Sequence, residues 1–183
     1  MKKIVTIVQD VNAESPRQDD NFGIMVCFHN RYNLGDEADA HGLKHEWFDG
    51  WDEMEAHLRR PCDEDDPEGY LGSGKGALVM LPLYLYDHSG ITMNTTGFSC
   101  PWDSGQVGFI YATEETIKNI FSDKPPTLEE IETHLKAEVE VYDQYLTGDV
   151  WGYIIEDESG EHLDSCWGFF GHAAAEQAAK EAG

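Results

Sequence analysis

No apolar run in this sequence reaches the roughly 18 residues that a membrane-spanning helix needs, so no such span is expected. The four cysteines, Cys27, Cys62, Cys100 and Cys166, lie far apart without a CxxC pair. That spacing argues against a zinc ribbon, gives no disulfide framework, and makes reduced cytosolic thiols the expectation. The eight histidines include no HExxH, and the one pair four apart, His41 and His45, begins in a turn-rich stretch. The glycine-rich segment Gly72-Ser73-Gly74-Lys75-Gly76 lacks the hydroxyl residue of a phosphate loop and runs into a strand, so it reads as a turn. No cofactor and no metal are expected from motifs of this kind.

Bases are also scarce. Twelve Lys and Arg stand against 36 Asp and Glu, a net charge of −24. Such a surface repels nucleic acid and anionic membranes and attracts basic partners. Solubility and adaptation to high salt would each account for the acids. The lysine excess over arginine, eight to four, counts against the second. In a third reading the acids imitate the phosphates of DNA.

Leu81 to Thr113 carries the densest apolar and aromatic content, with Asp87, His88, Cys100, Asp103 and Gln106 as its chemistry-bearing residues. Ala77 to Tyr86 predicts a buried strand. Asp87-His88-Ser89-Gly90 supplies a turn, with glycine taking positive φ. Ile91 to Thr96 alternates as a strand, Gly97 to Gly105 is a loop, and Val107 to Tyr111 returns as a buried strand. Phe98 and Trp102 sit in that loop, where an aromatic either plugs the core or walls a binding site; the plug is the commoner case.

Elsewhere, Lys3 to Val8 and Phe22 to His29 read as strands, and Gln9 to Asn21 as a loop. The basic start of MKKIVTIVQD precedes too short an apolar stretch for a signal peptide, so this segment is expected to be the first strand. Arg31 is expected to pair with Asp36 or a more distant acid. Trp47, Trp51, Met54 and Leu58 share one helical face, which predicts a helix over Trp51 to Arg60. The acidic run Cys62 to Gly69 departs from the EF-hand pattern, with Asp63, Asp65 and Pro67 out of place, and reads as a solvated loop. Thr113 caps a short helix to Phe121. Thr127 and Glu130 form a capping box for a helix over 127–147. Its buried stripe is Leu128, Ile131, Leu135, Val139, Tyr142 and Leu146. Its outer side carries Glu129, Glu132, Glu140 and Asp143, interrupted by Lys136 and flanked by Glu130, His134 and Glu138. Val150 to Glu156 and Glu161 to Phe170 form a hairpin about Asp157 to Gly160, and 172–183 is a terminal helix or a frayed tail. The order predicts one α+β domain with a mostly antiparallel sheet, and loops at 9–21 and 61–76.

Three chemical sites are conceivable. Cys100 would be a nucleophile with His88 as base and Asp87 or Asp103 as the orienting acid. Cys166 with His172 is a second pair, although no His and Asn follow at the distance a papain-like protease needs. Cys27, His29, His88 and Cys100 would make a zinc site from distant residues. Single Cys and His residues near strands more often pack than catalyse.

The segments CFHNRYNLGDE, LYDHSGITMNTTGFSCPWDSGQVGFIYAT, YDQYLTGDVWGY and LDSCWGFFG resemble a family of uncharacterised proteins of phages and mobile elements, across about Asn21 to Gly171. No activity or site residue is carried over from that family. The resemblance implies a phage or prophage protein acting in a bacterial cytoplasm, a setting in which acidic proteins disarm restriction and CRISPR enzymes. The leading expectation is a non-enzymatic inhibitor that docks on a basic nucleic-acid-binding host protein. It would use Glu129, Glu132, Glu140 and Asp143 together with the Asp36 to Glu68 region. A helical turn of about 5.4 Å lets such a row roughly follow phosphates about 3.4 Å apart on one strand. The alternatives are the small Cys100/His88 enzyme, or a host-interaction protein of another kind.

Overall fold

A computed structural model describes residues 3–18, 21–36, 41–61, 75–121 and 124–183. The acidic Cys62–Gly69 run and the Gly72–Gly74 part of the glycine-rich turn lie outside the described residues. The architecture is α+β, with two antiparallel sheets and four α-helices among the described residues. The strands are β1 (Lys3–Gln9), β2 (Ile24–Cys27), β3 (Ala77–Asp87), β4 (Ile91–Asn94), β5 (Ser104–Thr113), β6 (Val150–Asp157) and β7 (His162–Phe170). The helices are α1 (Trp51–Arg59), α2 (Glu114–Ile120), α3 (Leu128–Thr147) and α4 (His172–Ala182).

The larger sheet runs β2-β5-β3-β4 and the smaller β1-β6-β7. The unbroken apolar run of β5 follows from its position, because Val107 to Ala112 are all buried between layers on both faces. On one face Met25, Leu83, Leu85, Ile110 and Ala112 pack against Ile131, Leu135, Val139 and Tyr142 of α3. On the other, Val26, Met80, Phe109 and Tyr111 meet Met54 and Leu58 of α1 with Leu43 and Phe48. Gly108 allows β2 to lie this close: a Cβ there would stand 1.9 Å from the Val26 carbonyl oxygen. The smaller sheet covers one face with α4, burying Tyr153, Ile155 and Ala179. The terminal segment is therefore a docked helix, not a frayed tail.

α3 starts as expected. Thr127 Oγ1 accepts from the Glu130 N–H (3.2 Å) and Glu130 Oε2 from the Thr127 N–H (2.7 Å). Gly148 ends the helix in the left-handed conformation at φ +75°. Burial begins only at Ile131, so Leu128 leaves the expected stripe and is 66 % exposed. Trp47 also leaves its expected face. It lies in a separate 3-10 turn, His45–Trp47, and extended Gly50 separates that turn from α1. In the β3–β4 turn, Ser89 and not Gly90 takes positive φ, at +59°.

The segment expected as a plain loop at 9–21 holds a 3-10 turn, Pro16–Gln18, that drives Arg17 inward until its side chain is 3 % exposed. Arg17 Nε and Nη2 donate to the two oxygens of Asp36 (2.9 and 3.0 Å), Nη1 to Glu138 Oε2 (2.9 Å), and Nη2 also to the Gly23 carbonyl (2.6 Å). The carboxylates are themselves shared. Glu138 Oε1 accepts from the Phe22 and Gly23 N–H groups (2.6 and 3.1 Å), and Asp36 Oδ2 from the Met25 N–H (2.8 Å). Burial alone would pull the arginine pKa down, but the two carboxylates outweigh it and hold the value above the ordinary one.

A buried, fully partnered cation of this kind is costly to break. Removing one partner strands the others, at about 3–5 kcal/mol. Arg17→Met is expected to lower unfolding free energy by about that amount in urea titrations. The β6–β7 hairpin gives a second test. Asp157 Oδ1 accepts from Ser159 N–H, Ser159 O–H and Glu161 N–H at 2.8, 2.6 and 3.0 Å, and the Ser159 hydroxyl bond leads the effects that depress its pKa. A depressed carboxylate stabilises the fold above its unfolded pKa and loses that contribution as pH falls through the folded value. Thermal melts should therefore place Asp157→Asn below wild type near neutrality, with the gap closing in acid.

Candidate functional site

A broad groove of about 1450 Å³ opens beside the edge of the larger sheet, where the chain leaves β2 and where it enters β5. Its floor is apolar: Cys27, Leu85, Val107 and Tyr142 are buried. Its walls come from His29 to Asp36 on one side and Trp102 to Gln106 on the other.

The first wall is braced from below and across. The Gly35 N–H donates to Tyr142 Oη at 2.8 Å. Gly35 itself sits at φ +67°, where a Cβ would stand 2.6 Å from the Met25 carbonyl, so only glycine suits this corner. Burial pushes the Tyr142 phenol up to about 12, so it stays neutral. Arg31 reaches across the groove: Nη1 donates to Asp87 Oδ2 at 3.0 Å, and Asp87 Oδ1 accepts from the Tyr32 hydroxyl at 3.2 Å. Of the two partners the sequence left open, the distant acid is the one realised, because Arg17 already occupies Asp36. His29 stacks on Tyr32 with ring centroids 5.0 Å apart.

The second wall corrects the expectation for its aromatics. Trp102 is 92 % exposed and lines the groove, and Phe98 lies on Tyr86 with centroids 5.6 Å apart. Neither side chain is a plug buried in the core. The turn that carries Trp102 is tied off at its backbone, with the Asp87 N–H donating to the Asp103 carbonyl at 2.8 Å and the Ser104 hydroxyl to the Cys100 carbonyl. Trp102 is thereby held out over the groove.

The proposed nucleophile and base do come near one another, but through the same carboxylate. Cys100 Sγ donates to Asp103 Oδ2 at 3.6 Å, and His88 Nδ1 lies 3.4 Å from that same oxygen. An imidazole activates a thiol by taking its proton and then facing the thiolate as a cation. Here a carboxylate, not the imidazole, stands next to the sulfur. Asp103 is thus in reach of both the base and the thiol, with no direct contact between His88 and Cys100 among the described residues, and Asp87 bonds Arg31 and Tyr32. Cys166 and His172 engage different neighbours, the Trp167 carbonyl in one case and Glu176 with the Trp151 ring in the other. Among the described residues no three His, Cys, Asp or Glu side chains are gathered as a metal requires, and the Cys27, His29, His88, Cys100 quartet is not assembled.

No family model matches the chain, and no curated protein or solved structure matches it.

The expected acidic row on α3 is divided by the fold. Glu129 and Glu140 are exposed. Glu132 is bridged by Lys136 at 2.6 Å. Asp143 turns inward: its Oδ1 accepts from the Thr92 hydroxyl and the Met93 N–H, both at 2.7 Å, tying α3 to the edge strand β4. Glu138, placed by its spacing at the flank of the row, is the half-buried partner of buried Arg17. Spacing alone hides this, since the helical wheel puts both acids near the boundary of the apolar stripe. The missed signal was Arg17 itself, a solitary base in an acid-rich loop beside a proline.

The thiols offer a direct test of this layout. Burial, reinforced by the Asp36 charge, pushes Cys27 up to about 12, while Cys166 is exposed and Cys100 half-buried. Iodoacetamide at neutral pH, read by mass spectrometry, should label Cys166 and Cys100 in the native protein and reach Cys27 only after denaturation. Labelling of Cys27 as fast as Cys166 would contradict the placement.

Proposed function

We propose that the chain is a non-enzymatic binding protein that uses its acidic surface to occupy the nucleic-acid channel of a basic host protein. The phage or mobile-element setting implied by the sequence resemblance makes a restriction or CRISPR enzyme the expected target class. The observation that carries this reading is the sorting of the acids. Asp36, Asp87, Glu138, Asp143 and Asp157 are each taken up by several donors inside the fold. A larger set remains exposed, including Asp52 and Glu53 on α1, Glu114 and Glu115 on α2, and Glu129, Glu130 and Glu140 on α3. Protonation does not relieve this surface: the Thr127 N–H and hydroxyl hold Glu130 below the ordinary carboxylate range, and Lys118 does the same for Glu114.

The fold also changes how the mimicry would work. With Asp143 inside, the expected row keeps Glu129, Glu132 and Glu140, with exposed Glu130 beside it. Eleven residues of helix separate the first and last, about 16 Å, so the carboxylates do not follow a phosphate row one for one. They act instead as a field that steers a basic channel towards the protein, within a Debye length of about 10 Å at moderate salt. Binding of this kind is fast and salt-sensitive.

The test is displacement of labelled DNA from purified restriction and CRISPR effector complexes at low and high salt. Wild type should displace DNA from at least one of them at low salt. The triple variant Glu129→Lys, Glu132→Lys, Glu140→Lys should do so roughly tenfold less well or worse, with its circular dichroism unchanged. Displacement that survives the triple reversal and high salt together would sink the reading.

A further inference from the structure

The groove beside β2 and β5 is not part of that acidic surface, and most of its acids are matched: three bases, Arg17, Arg31 and Lys44, stand against five acids, Asp36, Glu138, Asp87, Asp103 and Glu46. Arg17 is matched by Asp36 and Glu138, Arg31 by Asp87, and Asp103 is shared by His88 and Cys100. At the far end Lys44 and Glu46 stand as opposite charges, with Lys44 over the Trp47 ring at 5.7 Å. In a molecule of net charge −24 this patch carries only a small excess of acid. Beside these charges the groove offers uncharged amides and an indole to a ligand. The Asn30 and Asn33 amides are exposed and bond to no described residue. Gln106 spends its Nε2 on the Gly108 carbonyl at 3.3 Å and keeps its Oε1 unused. Trp102 presents both faces of its indole to solvent at the rim, 92 % exposed.

We propose that this groove binds a neutral oligosaccharide. Hydroxyl groups donate and accept at once. They suit amides, which do the same, and carboxylates already fixed by a cation, as Asp87 is by Arg31. The C–H face of a sugar ring is apolar and flat enough to lie on an indole, which removes exposed aromatic surface from water. A nucleotide would bring phosphates into a strongly negative molecule whose only arginines in the groove are already paired. A basic peptide would find only Glu46 and Asp103 not held by a described Lys or Arg, since Asp87 is held by Arg31 and Asp36 by Arg17. The size also selects: ligand pockets commonly hold about 300–1,000 Å³, and a groove of about 1450 Å³ that is open along its length fits several sugar units better than one.

The experiment uses the full chain on a glycan array that carries neutral and charged oligosaccharides, with tryptophan fluorescence and ATP as a separate probe. Wild type should retain neutral glycans, at an affinity insensitive to salt, with a blue shift of emission as Trp102 is covered. Trp102→Ala should fold normally, since its side chain packs on little, and bind at least about tenfold more weakly. Asn33→Ala with Gln106→Ala should weaken binding while the blue shift at saturation persists. Retention of charged glycans only, binding of ATP in place of glycans, no glycan retained at all, or retention unchanged in Trp102→Ala would each overturn the proposal.

Discussion

The buried guanidinium of Arg17 ties together three parts of the chain that are far apart in sequence. It lies on a 3-10 turn in an otherwise polar segment, and its partners come from the end of the 27–36 segment and from the middle of α3. Through Asp36 it orders the Met25 N–H of β2, and through Glu138 the N–H groups of Phe22 and Gly23. A four-residue edge strand such as β2 has little pairing of its own. Here it is held by β5 on one side and by this ion cluster on the other. The groove inherits its first wall from the same arrangement, because the chain between Cys27 and Asp36 is fixed at both ends.

A strongly acidic chain must still supply acceptors to its interior, and this one does so selectively. The inward carboxylates take backbone N–H groups that the sheet and turns leave over: Asp36 and Glu138 at the start of β2, Asp143 at β4, Asp157 in the β6–β7 turn. Each is a charged acceptor for several donors, the arrangement in which a hydrogen bond contributes most. The acids left outside have few bases near them, and among the described residues their pairs with Lys or Arg, Glu114–Lys118, Glu55–Arg59 and Glu132–Lys136, are local contacts one helical turn apart. Exposed pairs of that kind contribute little to stability. The surplus charge is thus a property of the surface, available to a partner, and only a small part of it is consumed by the fold.

How much of this was legible in the sequence depended on the range of the interactions. Local rules worked for the Thr127–Glu130 capping box, the Thr113 cap and the buried run of β5, whereas the apolar run of β3 forms a strand that is only partly buried and leaves Leu78 52 % exposed. Helical periodicity worked for Ile131, Leu135, Val139 and Tyr142 but placed Leu128 wrongly, because the pattern does not say where the helix first meets the sheet. The site was harder. Asp87, His88, Cys100 and Asp103 do come together where the β3–β4 turn meets the β4–β5 loop, yet Asp87 is claimed by Arg31 and Tyr32, some 55 residues away in sequence. Asp143 and Glu129 look alike on a helical wheel and part company only when β4 supplies two donors. Trp102 is the converse case. An aromatic in a Ser- and Gly-rich loop suggested burial, and the short backbone ties of its turn hold it outside.

The most direct test of this division between inner and outer acids is residue-resolved amide hydrogen exchange on wild type and Glu138→Gln. The account predicts that the Phe22, Gly23 and Met25 amides lose protection together, while those of β6 keep theirs. Unchanged protection at those three amides would mean that the Arg17 cluster does not hold β2 in place, and would contradict the account.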